Sequence, residues 1–494
     1  MRHCFPCARA GLVAAALNAV TIATLATVAA AMPAVAQTLP ADSLVGRQIQ
    51  RRATEAVIWG MPAVNYDLMF QAALKAGAKE NQIVYWSNFL DWRNQTLTPN
   101  PTTIYLMPFL NMKDVGPMVV EIPPAEGGSI TGTIFDAWQV ALEDVGPAGA
   151  DKGKGGKYLV LPPSYGGTVP NGYIVLPSRT NMAGALLRSN VASGSAADIA
   201  NAVAYSKQIK LYPLSSAANP PPTAFVDAIS AEFDSTIPYD TRFFQSLDRF
   251  VQREPWLERD RAMIDLLKSI GVEQGKPFAP SAEARKLLDQ AAIEAHAVLD
   301  QGYEALFSPY YPEVQWALPL TPELTKGLSD DFAEPGVYPT DTRGVFFSMA
   351  FSSVKHLGTG QFYLVALRDR VGQPLQGDQT YRLRMPANVP AKLYWSATVY
   401  DRVTHALIRD QKWPSRGSTT PGLQINPDGS VDLFFGPKPP VGKESNWVPT
   451  QPGRGWEIMM RFYGPQKPLF DKTWVLPDVE KIAVSPPASV LKGQ

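Results

Sequence analysis

The chain has 494 residues, with 45 Lys+Arg against 45 Asp+Glu, 4 His and 2 Cys. That length suits two or three domains with ample core, and the zero formal charge gives no electrostatic basis for a nucleic-acid binder. Aromatic residues make up 10% of the chain and 45 residues are Pro, which excludes a disordered chain and demands many rigid loops and strand ends.

Arg2 and Arg9 precede an Ala-rich apolar run from Leu12 to Ala31, and Ala34-Val35-Ala36 fits the small-x-small cleavage rule. These features predict a signal peptide over residues 1–36, cut after Ala36, and a periplasmic or secreted mature protein. Cys4 and Cys7 leave with it, so no disulfide, Cys-zinc site or thiol nucleophile remains. Loss of Arg2 and Arg9 leaves 43 basic against 45 acidic residues, a net charge of −2. No later apolar run is long enough to span a bilayer.

Leu44 to Leu74 reads as two helices, with Leu44, Val45, Ile49, Ala53 and Val57 at helical spacing and a break at Gly60-Met61-Pro62. Short strands follow at Met118–Ile122, Ser129–Asp136, Tyr158–Leu161 and Gly172–Leu176. Pro147 to Lys157, rich in Gly and Lys, reads as a mobile loop. Helices are expected over Ala196–Lys210, Thr241–Gln252, Leu257–Ile270 and Ala282–Leu306, with Ser281 as N-cap and Gly271 as a stop. Strands return at Val345–Val354, Gln361–Leu367, Tyr381–Met385, Leu393–Tyr400, Val431–Phe435 and Trp456–Tyr463. Asn426-Pro427-Asp428-Gly429 is a turn. The expected class is α+β, mainly β. Two β-sandwich-like (jelly-roll-like) domains carry an N-terminal helix pair and a helical insert between them. The expected boundaries are 44–190 for the first β domain with its leading helices, 195–310 for the helical module and 335–485 for the second β domain.

No G-x-S-x-G elbow, phosphate loop, dinucleotide fingerprint or H-E-x-x-H occurs. Only His296, His356 and His405 survive export, which excludes a His-rich metal cage but leaves one His with carboxylates open. Asp401 and His405 flank a turn, where a carboxylate orienting an imidazole would serve as a general base. A turn whose Asp binds local amides is the plain alternative. Asp136, Glu143 and Asp144 surround Trp138, a pattern that suits a sugar ring or structural hydrogen bonding. The run from Thr98 to Tyr105 offers Asn100, Thr103 and Tyr105 as a binding wall or a rigid turn. Asn446 and Trp447 lie in a later polar-aromatic motif. Arg461 sits in an apolar strand, where it needs either a carboxylate such as Asp401 or Asp136, or an anionic ligand.

Several of these motifs carry a family likeness. Leu393 to Asp401, Asp428-Gly429-Ser430, Asn446-Trp447-Val448-Pro449 and Arg461-Phe462-Tyr463-Gly464-Pro465 resemble domain of unknown function 1214. Thr98 to Tyr105, Gly116-Pro117, Val120 to Pro123, Phe135 to Trp138 and Leu159 to Pro162 resemble its companion, domain of unknown function 1254. The resemblance spans about Leu44 to Ile482 and implies a bacterial, often exported, largely β protein. This chain departs at Asn100-Pro101-Thr102-Thr103, where members more often carry Asp or Asn before Thr.

Two functions follow as expectations. One is a hydrolase acting on a small organic or glycan substrate in an interdomain cleft. Asp401 and His405 would do acid–base work there, while Asn100, Thr103, Tyr105, Asp136, Trp138, Asn446, Trp447 and Arg461 hold the substrate. The other is a non-catalytic periplasmic ligand-binding or envelope-interaction protein. Neither requires a cofactor, a metal, nucleic acid or a membrane span after export, and a homo-oligomer stays open.

Overall fold

The computed structural model describes residues 41–306, 308–356 and 360–483. The expected signal peptide and its cleavage point lie outside the described residues. Among those described, no helix is long and apolar enough to cross a membrane. The fold is mixed α+β and mainly β. Both β regions lie within one compact unit that begins at Val45.

The first β region is a sandwich. A six-stranded sheet runs in the order Phe225–Asp227, Gln82–Tyr85, Ile104–Asn111, Met182–Ser189, Ile130–Asp136, Ala141–Val145. A four-stranded sheet of Lys210–Pro213, Met118–Ile122, Gly156–Leu161 and Ile174–Pro177 faces it. Side chains alternate across a strand, so Leu106, Leu110, Ala183, Ala185 and Leu187 fill the space between the sheets. Their neighbours Tyr105, Met107, Phe109, Met182 and Leu186 turn to the opposite face, where the helices pack.

The second β region repeats this plan. One sheet runs Gln361–Ala366, Trp456–Pro465, Ala391–Asp401, Ser415–Gly417; the other runs Trp447–Pro449, Val431–Gly436, Tyr381–Met385, Glu480–Lys481. Trp456, Ile458, Met460 and Phe462 enter the core between the two sheets. Their alternates, Glu457, Met459, Arg461 and Tyr463, point away from it.

The expected helix pair is a single helix, Ala41–Lys75, with Pro62 inside it. Pro62 cannot bond the carbonyl four residues back and normally breaks a helix. Here the carbonyls around the proline find tertiary donors. Arg343 Nη2 donates to Trp59 O (2.7 Å) and Gln139 Nε2 donates to Pro62 O (2.8 Å). Gly344 lies so close to Ile58 O that an added Cβ would stand 2.8 Å from it. The expected strand Val345–Val354 is likewise corrected: Thr340–Met349 is a helix. Every residue from Arg343 to Met349 is buried, and a short run buried all round reads alike as strand or helix. The segment Leu257–Ile270 divides into a short turn of 3-10 helix and the helix Met263–Lys268. The glycine-rich loop after Pro147 is pinned by the buried Asp151, whose Oδ1 accepts from Gly146 N (2.6 Å) and Tyr158 OH (2.9 Å). Ala282–Leu306 forms with the expected bounds, and Ser281 Oγ caps Ala284 N at 3.1 Å.

Gln139 ties three parts together. Besides holding Pro62, its Oε1 accepts from Ser352 N (2.7 Å) and its carbonyl accepts from Ser353 Oγ (2.6 Å). A Gln139→Leu substitution leaves two buried backbone groups without partners and should cost about 3 kcal/mol. Chemical denaturation would show this as a lower midpoint with an unchanged slope, and a change under about 0.5 kcal/mol would refute the bridging role.

Candidate functional site

A cavity of about 640 Å³ lies between the two β regions, and mostly apolar side chains line it. Four phenylalanines, Phe346, Phe351, Phe362 and Phe470, contribute to the wall. From the first β region come Asn100, Tyr105 and Arg188; from the second come Tyr363, Met459 and Arg461. The alternation of strand residues explains this set, because Arg188 and Arg461 both point away from their own sandwich cores.

Arg461 is 2% exposed. Its Nη2 donates to Thr98 O (2.9 Å), while Nε and Nη1 have no partner among the described residues. The guanidinium sits 5.3 Å from the Tyr363 ring centre and 5.6 Å from that of Tyr400. Arg188, partly exposed, lies 5.3 Å from the Tyr105 ring and leaves its own shielded Nε unpartnered. Burial opposes the charge on Arg461. The oxygens of Tyr400, Tyr463, Tyr363 and Tyr105 favour it, and the balance holds the group above its ordinary pKa. Burial raises the Tyr400 and Tyr463 phenols, which keeps them protonated at neutral pH. The Tyr394 and Tyr463 rings stack at 4.2 Å.

The polar run Thr98 to Asn100 forms one edge of this cavity. Tyr400 OH donates to Pro99 O (2.6 Å), and Asn100 Nδ2 donates to Tyr463 OH. Thr98 N donates to His405 O at 2.6 Å, and Thr98 Oγ1 donates to Met349 O at 3.0 Å. Thr98 holds φ 40°, a costly conformation for a β-branched residue that these bonds maintain. Asn100 Oδ1 accepts from Thr102 N (3.1 Å) and Thr102 Oγ1 (2.8 Å).

Asp401 and His405 take separate partners. Asp401 accepts from Arg454 and from the turn amides of Val403 and Thr404, both at 3.0 Å. The His405 ring, 5% exposed, meets Glu457 through Nδ1···Oε1 at 2.9 Å, and Tyr303 OH donates to the other Glu457 oxygen at 2.9 Å. The carboxylate beside His405 is therefore Glu457, not Asp401, and neither Asp401 nor His405 lines the cavity.

Comparison with known proteins completes the picture. Residues 80–213 match the model of a protein of unknown function (DUF1254). Residues 360–467 match that of a protein of unknown function (DUF1214). The chain thus carries both members of the DUF1254–DUF1214 pair, one in each β region. The VPA0106 protein from Vibrio parahaemolyticus shares its fold. It is 20% identical, with a TM-score of 0.54 over 88% of this chain and all (100%) of that one. An uncharacterized protein from Burkholderia cenocepacia is 13% identical, with a TM-score of 0.39 over 90% of this chain and 94% of that one. No curated protein matches. Within the paired family architecture, Arg188 belongs to the DUF1254 segment and Arg461 to the DUF1214 segment. Each domain thus supplies one guanidinium to the shared cavity.

The remaining sequence candidates stand elsewhere. Thr103 is buried beside Ser189 O at 3.5 Å. Trp138 is a core residue, packed on Trp59 (5.0 Å) and Phe250 (4.8 Å) rather than presenting a platform. Asn446 clamps Gln424 and the carbonyl of Asp432 (2.9 Å), and Trp447 Nε1 donates to Gly436 O (2.9 Å). Neither lines the cavity. Arg188 and Tyr363 escaped the sequence reading. The argument applied to Arg461, a cation in an apolar strand, applies equally to Arg188 in Met182–Ser189.

Asp136 caps a tight turn by accepting from Trp138 N (2.9 Å) and Val140 N (3.0 Å). Burial pushes its carboxyl up to about 7, with Asp331 adding to the rise. The folded protein then keeps a proton that the unfolded chain loses near pH ~4, so this group costs stability as pH rises from ~4 to ~7. Asp136→Asn retains an oxygen for both amides and removes the charge. Thermal melts should place the variant above the parent at about pH 8, with the gap closing near about pH 4. A gap independent of pH would contradict the assignment.

Proposed function

We propose that the protein is an exported, non-catalytic binder of a small organic anion with an apolar body, held in the cavity between its two β regions. The observation that carries this reading is Arg461, a buried cation with two unpartnered donor nitrogens that lines a mostly apolar space. A buried charge left unpaired is costly, and a ligand anion would relieve that cost. The volume suits a drug-sized ligand. Largely apolar walls suit a hydrocarbon or aromatic body better than a glycan. Binding is favoured over turnover because Asp401 and His405, the residues that motivated hydrolysis, are occupied by Arg454 and Glu457 outside the cavity.

Isothermal titration with 4-phenylbutyrate and its amide tests the reading. The carboxylate should bind and the amide should not. Arg188→Met and Arg461→Met should each weaken binding at least about tenfold, or about 1.4 kcal/mol. Ligand at about 100 times its Kd should add about 2.7 kcal/mol to stability in melts of the parent protein. Equal binding of acid and amide would remove the anion from the proposal.

Export rests on the first 36 residues. Mass spectrometry of the protein recovered from a bacterial periplasm should find Gln37 as the first residue. A chain still beginning at Met1 would overturn that part.

A further inference from the structure

The cavity has an uneven charge inventory. Among the described residues, its lining includes three cations, Arg188, Lys326 and Arg461, and no Asp or Glu. Lys326 is already matched, by Glu334 and by Asp330 at 3.5 Å. Arg188 and Arg461 have no ion-pair partner within salt-bridge distance among the described residues. Burial keeps Tyr400 and Tyr463 protonated, so no carboxylate or phenolate among them serves as a counter-ion to the two guanidiniums.

The two guanidiniums also share surroundings. Arg188 lies 5.3 Å from the Tyr105 ring, whose hydroxyl accepts from Asn100 N (3.0 Å), and Arg461 Nη2 donates to Thr98 O (2.9 Å), so both guanidiniums flank the strip Thr98 to Asn100 at the cavity edge. Together they present three unpartnered donor nitrogens: Arg188 Nε, Arg461 Nε and Arg461 Nη1. Phe346, Phe351, Phe362 and Phe470 supply apolar wall for the body of a ligand. A singly charged head would leave one of the two guanidiniums without a counter-ion.

Resting on the binding reading above, we infer that the ligand carries a doubly negative head at one end of its apolar body. Two chemistries provide this: a phosphate monoester and a dicarboxylate. Each offers at least three acceptor oxygens, enough for the three waiting donors. Arg188 and Arg461 then form a two-sided clamp, one arm from each domain of the pair.

Calorimetry on the full-length protein at about pH 8 distinguishes the alternatives, since a phosphate ester loses its second proton near pH ~6. The probes are 4-phenylbutyl phosphate, benzylsuccinate, 4-phenylbutyrate and 4-phenylbutanol. At least one dianion should bind about tenfold or more tighter than the monoanion, and the alcohol weakest. The tighter dianion names the source chemistry. Lowering the pH to about 5 should weaken the phosphate ester as it takes up its proton. In Arg188→Met the preference for two charges over one should collapse; Arg461→Met should do the same if it folds, and the ranking on the parent protein needs neither variant. A monoanion that binds as tightly as both dianions overturns the double charge while leaving the cavity reading intact. Failure of all four probes overturns both.

Discussion

The three-residue strip Thr98-Pro99-Asn100 is where the two β regions meet. Most polar groups on it are taken by a residue from elsewhere in the chain or from its own turn. His405 O holds the Thr98 amide, Arg461 holds the Thr98 carbonyl, and Tyr400 holds the Pro99 carbonyl. Asn100 reaches Tyr463 on one side and folds back onto Thr102 on the other. Pro99 has no amide to satisfy, so the strip can run through a buried seam without orphaned donors. Its strained backbone at Thr98 persists because so many partners over-determine it. Within this grip, the bond to the Thr98 carbonyl also helps to orient Arg461 at the cavity.

That grip also explains an economy in the use of histidine and carboxylate. His405 contributes to the seam through its carbonyl, in a left-handed conformation with φ 52°. Its ring is occupied by Glu457, which in turn is held by Tyr303 from the long helix Ala282–Leu306. Asp401 closes the turn that presents His405 and is neutralised by Arg454. The carboxylates near the seam therefore serve its architecture. None of them lines the cavity, where the two guanidiniums share the space with phenols, neutral polar side chains and hydrocarbon.

Much of the β framework was legible because it is local. Alternation of apolar and other residues marks Trp456–Pro465 and Tyr381–Met385, and turn chemistry marks Asn426 to Gly429. Legibility failed where tertiary contacts overrode local preference. Pro62 sits inside a helix because Gln139 and Arg343 supply donors from distant segments. The helix Thr340–Met349 was illegible because Arg343 to Met349 are all buried, which erases periodicity. Of the sequence candidates, Asn100, Tyr105 and Arg461 meet at the cavity, while Trp138, Asn446 and Trp447 are held by core and strand contacts.

By itself, the sequence determined the class, the paired family likeness and the strand on which Arg461 lies, since composition, alternation and turn residues act over a few positions. It also showed that Arg461 would need an anion or a carboxylate. Only the tertiary structure decided between them, because partner choice depends on which distant side chains converge. Asp401 went to Arg454, Glu457 to His405 and Tyr303, and Asp136 to its own turn. What converged on Arg461 was a ring of tyrosines, a second arginine and an apolar space.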